Sequence, residues 1–133
     1  MKKRPRLSFG LLLRAGRVLL VHRHPDRSIY PDVWDLPGGH IEPGETPEEA
    51  LRREVGEELG VDVTRFVEVE FPDFFPAAET HVFTVDAWQG EPTNLALDEH
   101  DRLGWFTADE LGGLTLADAR MIGWLQGVLS DLD

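Results

Sequence analysis

Apolar residues gather in two short runs near the start of the chain, Leu7 to Leu13 and Val18 to His22, with Arg14-Ala15-Gly16-Arg17 between them. Two such runs around a glycine-containing turn predict a β-hairpin. From His24 to Pro31 the pattern loses its period and includes two prolines, which predicts a loop leading to a short strand at Trp34 to Leu36. A helix is predicted from Pro47 to Leu59. Thr46 is its N-cap, Pro47 takes the first helical position where its missing N–H costs nothing, and Glu49 completes a Thr-x-x-Glu capping box. Gly60 then supplies a left-handed stop. Val63 to Phe71 and Thr80 to Trp88 read as strands separated by a turn region at Pro72 to Pro76, and Leu103 to Phe106 as a further short strand. Thr107 to Leu111 predicts a capped helical turn. Leu116 to Leu129 carries Met121, Ile122, Leu125, Val128 and Leu129 at helical spacing, which predicts a terminal helix packed on the sheet. The order β, β, loop, β, α, β, β, β, α gives the fold class α/β, a mixed sheet with helices on its faces.

Composition narrows the possibilities. At 133 residues, 41% hydrophobic and 29% charged, the chain is expected to form one domain over residues 1–133 with a real core. The absence of cysteine excludes a disulfide framework, a thiolate zinc site and a cysteine nucleophile. The start, Met1 to Arg6, is basic, but the apolar run Phe9 to Leu13 is cut by Arg14 and is too short for a signal-peptide core or a membrane span. A soluble, cytoplasmic protein is expected. The net charge of −12 argues against binding nucleic-acid polymers through their phosphates. A small phosphorylated ligand remains compatible with it where divalent cations bridge the two sets of negative charge.

The predicted helix carries the chemistry. At about 100° per residue, with Leu51 at zero, Val55 and Leu59 fall at roughly 40° and 80°, and Glu58, Glu54 and Glu57 at roughly 340°, 300° and 240°. Three carboxylates therefore share an arc along the rim of the apolar stripe. A solvated acidic face is the plain alternative, and two costs weigh against it. Glu54 and Glu58 are an i, i+4 like-charge pair, and Glu57 and Glu58 lie near the negative end of the helix dipole. A magnesium ion reverses the sign of both effects, because it prefers oxygen ligands and binds carboxylates together with phosphates.

The surrounding residues form a recognisable pattern. Gly39-x5-Glu45-x7-Arg53-Glu54-Val55-x-Glu57-Glu58-x-Gly60-Val61 fills all nine specified positions of a 23-residue signature, preceded by Trp34-Asp35-Leu36-Pro37-Gly38-Gly39. A chance match at nine positions is improbable, and on this ground the chain resembles the Nudix hydrolases. The resemblance directly covers Gly39 to Val61, about a sixth of the chain. It implies a Nudix-type α/β/α sandwich in which the signature forms a loop, a helix and a loop. It also implies hydrolysis of a diphosphate linkage in a nucleoside diphosphate derivative, with Mg2+, or Mn2+ in its place, as cofactor. Glu54, Glu57, Glu58 and the Gly38 carbonyl are the implied metal ligands. Glu45 and Arg53 are implied to brace the loop against the helix, with Gly39 and Gly60 as further structural positions. Glycines at 38 and 39 suit a loop that approaches a metal or phosphate closely. Two carboxylates stand as candidates for the base, Glu54 and the distant Glu99, which opens Glu99-His100-x4-Trp105-Phe106 and is also a candidate metal ligand. His100, His40 and His81 read as hydrogen-bonded structural or rim residues, and His22 and His24 lack the spacing of a zinc site.

The glutamates can recognise only metal and diphosphate, so substrate discrimination is expected from elsewhere. The expected readers are the first strand near Ser8 and Phe9, the Phe71 to Pro76 segment, and the strand Glu79 to Phe83. Within them, Phe74 and Phe75 are the candidates to stack on a base, with core packing the expected role of at least one of the two. A MutT-like enzyme acting on nucleoside triphosphates or oxidised, noncanonical nucleotides is the leading reading. ADP-ribose hydrolysis is an alternative, hinted at by Pro76 fifteen residues beyond the signature. A nucleotide-binding sensor module without turnover is the non-enzymatic alternative, disfavoured by the intact signature. The partner is a small nucleotide-like molecule, and the protein is expected to be a monomer or homodimer.

Overall fold

The computed structural model describes residues 4–132, so the basic residues Met1 to Lys3 lie outside the described part. Strands β1 (Arg6–Arg14) and β2 (Arg17–Arg23) form the expected hairpin. Ala15 and Gly16 both have positive φ, 54° and 74°, the pair of left-handed residues that a two-residue turn of matching twist requires. Only Leu13↔Val18 and Arg14↔Arg17 pair across the hairpin before its arms splay. The wedge between the arms is filled by β3 (Trp34–Asp35) on β2 and β4 (Gly38–His40) on β1. The outer edge of β1 pairs in parallel with β6 (Glu79–Gln89), which pairs with β5 (Asp62–Val69), and the outer edge of β2 pairs with β7 (His100–Phe106). One parallel pair among antiparallel ones makes the sheet mixed, as expected.

Helix α1 (Pro47–Leu59) has the predicted bounds and both hydrogen bonds of its capping box. Its buried stripe, Leu51, Val55 and Leu59, packs with Leu12, Leu19, Phe83 and Val85 on one face of the sheet. On the other face, α2 (Ala108–Leu111) and α3 (Arg120–Ser130) bring Leu111, Met121, Leu125 and Leu129 against Leu11, Val18, Leu20 and Val82. Each such side chain, fully buried, contributes roughly 1.5–3 kcal/mol. Neighbours such as Leu11 and Leu12 serve opposite layers, which explains why β1 and β2 read as continuous apolar runs. The result is an α/β/α sandwich.

Several boundaries differ from expectation: β7 begins at His100 rather than Leu103, β5 ends at Val69 rather than Phe71, β3 ends at Asp35 rather than Leu36, and two further differences have a plain physical cause. Gly38 to His40 is strand, not loop, because the splayed end of β1 has backbone groups to satisfy and the Gly38 to His40 stretch pairs with Leu7 to Phe9. The terminal helix starts at Arg120, not Leu116. Leu116 instead forms a bridge with Trp34, and Trp34 N–H donates to the Thr115 carbonyl, so the sheet claims residues whose apolar spacing had pointed to a helix. No described helix is long and apolar enough to cross a membrane.

Candidate active site

The wedge places β4 beside the last turns of α1, and two glycines make that approach possible. Gly38 has φ +144°, and a Cβ there would lie 2.1 Å from the Ser8 carbonyl oxygen. A Cβ on Gly39 would lie 2.8 Å from the Glu54 carboxylate. Gly38 N–H donates to Glu58 Oε2 at 3.0 Å, so the strand holds one glutamate while making room for the other. Gly39→Ala is expected to displace the Glu54 carboxylate and lower turnover at least tenfold, with the thermal midpoint little changed. Parallel kinetics and thermal unfolding of the purified variant check it, and unaltered turnover would show that the close approach has no bearing on catalysis.

The three glutamates of the helix do not share one environment, which corrects the expectation that all three line the rim. Glu58 is buried. The Glu54 side chain is 16% exposed and that of Glu57 63%. Burial pushes the Glu58 carboxyl up to about 9, an effect softened by the Gly38 N–H and reinforced by the charges of Glu54, Glu99 and Asp35. Glu54 is raised as well, by burial first, with the Arg53 hydrogen bond opposing and Glu57 and Glu99 adding to it. Glu57 faces outward and lies 3.5 Å from Arg53 Nη1 as an i, i+4 partner.

Arg53 and Glu45 form the predicted brace. Nε and Nη2 donate to the two Glu45 oxygens at 2.7 and 3.0 Å, a bidentate pair. Nη1 donates to Glu54 Oε1 at 2.9 Å and Nη2 to the His40 carbonyl at 2.9 Å. One guanidinium thereby joins the turn after β4, the end of β4 and a glutamate of α1. The hydrogen bond from Arg53, joined by one from Glu42 N–H, holds the Glu45 carboxyl at about 2.

Glu99 arrives from forty residues downstream because the chain before it caps α1. Thr93 N–H donates to the Leu59 carbonyl at 3.0 Å and Leu95 N–H to the Glu58 carbonyl at 2.8 Å, satisfying helix-end carbonyls that would otherwise lack partners. The Glu99 carbonyl accepts from His24 N–H at 2.9 Å. Its carboxylate is close enough to raise both Glu54 and Glu58.

Among the described residues, no group of three carboxylates or imidazoles converges to hold an ion with the side chains as they stand. The donor set nevertheless fits a hard divalent cation. It consists of oxygen donors only, three carboxylates and the Gly38 carbonyl, and two of the carboxylates are crowded and desolvated so that their charged forms need a compensating positive charge.

The histidines take separate paths. His40 is exposed, and His81 lies between Glu68 and Glu79 at 2.7 and 2.9 Å. His22 is buried, with Nδ1 2.7 Å from Asp101. His100 is buried too, but its Nδ1 has no hydrogen-bond partner among the described residues, contrary to the expectation of a bonded ring. Burial first, then the charges of Arg27 and Arg23, lower it to about 4, so it is neutral at physiological pH. Ser8 is buried and its hydroxyl donates to the Pro47 carbonyl at 2.8 Å, which spends that group inside the fold. Phe74 packs edge-on to Phe71, with the Arg120 guanidinium 5.0 Å over its ring, while Phe75 lines a small cavity with Phe71 and Thr80.

The NUDIX domain family model matches residues 4–126. The chain belongs to the NUDIX family. It is 31% identical over 84% of its length to the nucleoside triphosphatase NudI of Enterobacter sp. (strain 638), of which the match covers 87%. It is 34% identical over 69% of its length to an 8-oxo-dGTP diphosphatase of Proteus vulgaris, covering 85% of that protein. Among solved structures, the MutT NUDIX hydrolase from Burkholderia pseudomallei superposes with a TM-score of 0.74 at 30% identity, over 91% of this chain and 96% of that one.

Within the Nudix frame, sequence reasoning passed over Asp35. It is raised by burial, opposed by Leu36 N–H and by Arg23, and its charge reaches Glu58. Arg23 Nη1 lies 3.5 Å from it. The available signal was an acidic residue inside the otherwise apolar Trp34 to Pro37 stretch, opposite an arginine that ends an apolar strand.

Proposed function

We propose that this Nudix hydrolase cleaves the diphosphate linkage of a nucleoside triphosphate or a noncanonical relative of one, in the cytoplasm, as a monomer or homodimer. The observation that carries this reading is the pair of desolvated carboxylates, Glu54 and Glu58, held against Gly38 and Gly39 within a complete signature. The relatives named as nucleotide phosphatases support the substrate class. The net charge of −12 favours free nucleotides over polymers, whose binding depends on cationic surface.

Magnesium, or manganese in its place, is the proposed cofactor, and Glu54, Glu57, Glu58 and the Gly38 carbonyl are the groups that would hold it. When bound, such an ion neutralises diphosphate charge and lowers the pKa of an attacking water. The chain's own groups do the remainder. Gly38 N–H fixes the Glu58 carboxylate, Arg53 fixes Glu54, and a carboxylate oxygen of Glu54 or Glu99 takes the proton of the water. Glu54 suits that task because burial has moved it upward from the ordinary carboxylate range, closer to the operating pH of a general base.

The test is a panel of nucleoside triphosphates, ADP-ribose and dinucleotides, assayed with magnesium and with chelator. Magnesium-dependent release of pyrophosphate from nucleoside triphosphates is expected. Turnover of ADP-ribose alone would overturn the triphosphate assignment, and binding without turnover of any substrate would make the chain a sensor module. On the same panel, Phe75→Ala is expected to change the ranking of substrates. Phe74→Ala is expected to lower the thermal midpoint and leave the ranking intact, because its ring is committed to Phe71 and Arg120.

A further inference from the structure

The loop between β2 and β3 has no periodic sequence, yet it is tied down along its length. Arg23 Nε donates to the Tyr30 carbonyl at 2.9 Å and Arg23 Nη2 to the Ile29 carbonyl at 2.6 Å. Asp32 N–H donates to the Arg23 carbonyl, Arg23 N–H donates to the Val33 carbonyl, and Asp32 Oδ1 lies 3.3 Å from His22 Nε2. These bonds keep Tyr30 and Asp32 at φ 46° and 60°, left-handed conformations that are unfavourable for residues with a side chain. Such strain persists only where the surroundings fix it, and it gathers where a fold positions functional groups.

Arg27 is the group this loop presents. Its N–H donates to the His24 carbonyl at 3.0 Å, which fixes its backbone, and its Nη1 donates to the Glu99 carbonyl at 3.4 Å. Among the described residues the Arg27 guanidinium forms no ion pair, whereas Arg23 faces Asp35 at 3.5 Å and Arg53 is bound to Glu45 and Glu54. A guanidinium carries more N–H donors than the one bond to Glu99 uses. The neighbouring charges locate the unused part of the fork. Burial lowers Arg23, and the charge of Arg27 lowers it further. Burial raises Asp35, with the Leu36 N–H, Arg23 and Arg27 opposing, and Asp35 and Glu99 both reach Glu58. Arg27 thus stands on the Asp35 and Glu99 side of the glutamate cluster, beside a second arginine. Two like charges held at close quarters repel, and an anion next to them removes that cost.

We infer that Arg27 is a substrate-binding residue, whose guanidinium donates to a phosphate oxygen of the nucleotide on the Glu99 side of the glutamate cluster. The assignment rests on the reading of the glutamate site as a nucleotide hydrolase. The glutamates reach a phosphate only through a cation, while a planar guanidinium recognises phosphate oxygens directly and with fixed geometry. The contact is made to a group present in the bound substrate and in the transition state alike, so it acts on binding and leaves the chemical step unchanged.

The test compares wild type with Arg27→Ala and Arg27→Lys in steady-state kinetics with magnesium and nucleoside triphosphates. Competitive inhibition by inorganic tripolyphosphate, a probe with phosphates and no base, is measured alongside. Arg27→Ala is expected to raise KM and the tripolyphosphate inhibition constant in parallel, each about ten- to hundredfold, the worth of one charge-assisted hydrogen bond. Its kcat should stay within about twofold of wild type. Arg27→Lys should recover part of both constants, because it restores the charge without the planar fork. A folded Arg27→Ala protein with unchanged KM and inhibition constant would overturn the inference alone. A fall in kcat at unchanged KM would also overturn it, since that is the mark of a residue that only holds the Glu99 carbonyl. A rise in KM without any change in tripolyphosphate inhibition would do the same, by moving the contact to the base or sugar. If Arg27→Ala does not fold, Arg27→Lys carries the comparison, with a smaller rise in both constants expected and unchanged constants overturning the inference. Absence of nucleoside triphosphate turnover in the wild type would instead overturn the functional reading, and this inference with it.

Discussion

Glu58→Gln is expected to lower magnesium-dependent turnover by about a thousandfold, equivalent to ~4 kcal/mol of lost charge stabilisation at the diphosphate. The same substitution should stabilise the protein in chelator at alkaline pH. In the fold the Glu58 carboxyl is pushed up to about 9 by burial, whereas an unfolded glutamate titrates near 4.3. A folded state that binds the proton more tightly contributes stability that is complete below the unfolded value and is lost as pH rises through the folded one. Thermal midpoints of the chelated wild type should therefore fall between about pH 5 and pH 9, and those of the glutamine variant should fall less. Glu57→Gln separates the two effects. Its side chain is largely exposed, so it should lose turnover as a ligand while leaving the pH dependence of stability as in the wild type. Wild-type turnover in folded Glu58→Gln would remove Glu58 from the metal site, and a pH-independent midpoint in the chelated wild type would contradict the desolvation argument.

Arg53→Ala should lower turnover about 10–100-fold, in the range of losses seen when a group that orients a ligand is removed. Alanine deletes the bidentate bond to Glu45, the bond to the His40 carbonyl and the bond to Glu54 at once. Lysine should rescue little, because a point charge cannot reproduce the planar fork. Glu45→Gln removes the partner, and a double-mutant cycle reads the coupling. The loss in Arg53→Ala/Glu45→Gln should be well short of the product of the single losses. Independent, multiplicative losses would show that the two residues do not act together.

The brace was legible only through the family resemblance, which implies that Glu45 and Arg53 pair, and the structure joins them by two hydrogen bonds. The environments of the glutamates were not legible. Helical geometry gives the angle of each around the axis, and from that angle Glu54, Glu57 and Glu58 share one arc. Their exposure depends on what packs beside the arc. Gly38, twenty residues earlier, covers Glu58, and the 93–99 segment, more than thirty residues later, completes the enclosure. Glu57, on the outer edge of the same arc, is largely exposed and lies beside Arg53.

Features that rest on contacts within a few residues could be read directly from the chain. Helix α1 begins at Thr46 and stops at Gly60 because its caps are local hydrogen bonds and one left-handed residue. The hairpin turns at Ala15 and Gly16, and α2 starts at the Thr107 box, for the same reason. Family membership followed from nine spaced residues, which are a property of the chain alone. Packing between distant segments set the splaying of β1 from β2 and the strand that fills the wedge. The start of α3 at Arg120 and the approach of Glu99 to the glutamates have the same origin. Each of these depends on which distant backbone groups satisfy one another and which side chains exclude water, and no local period along the chain carries that information.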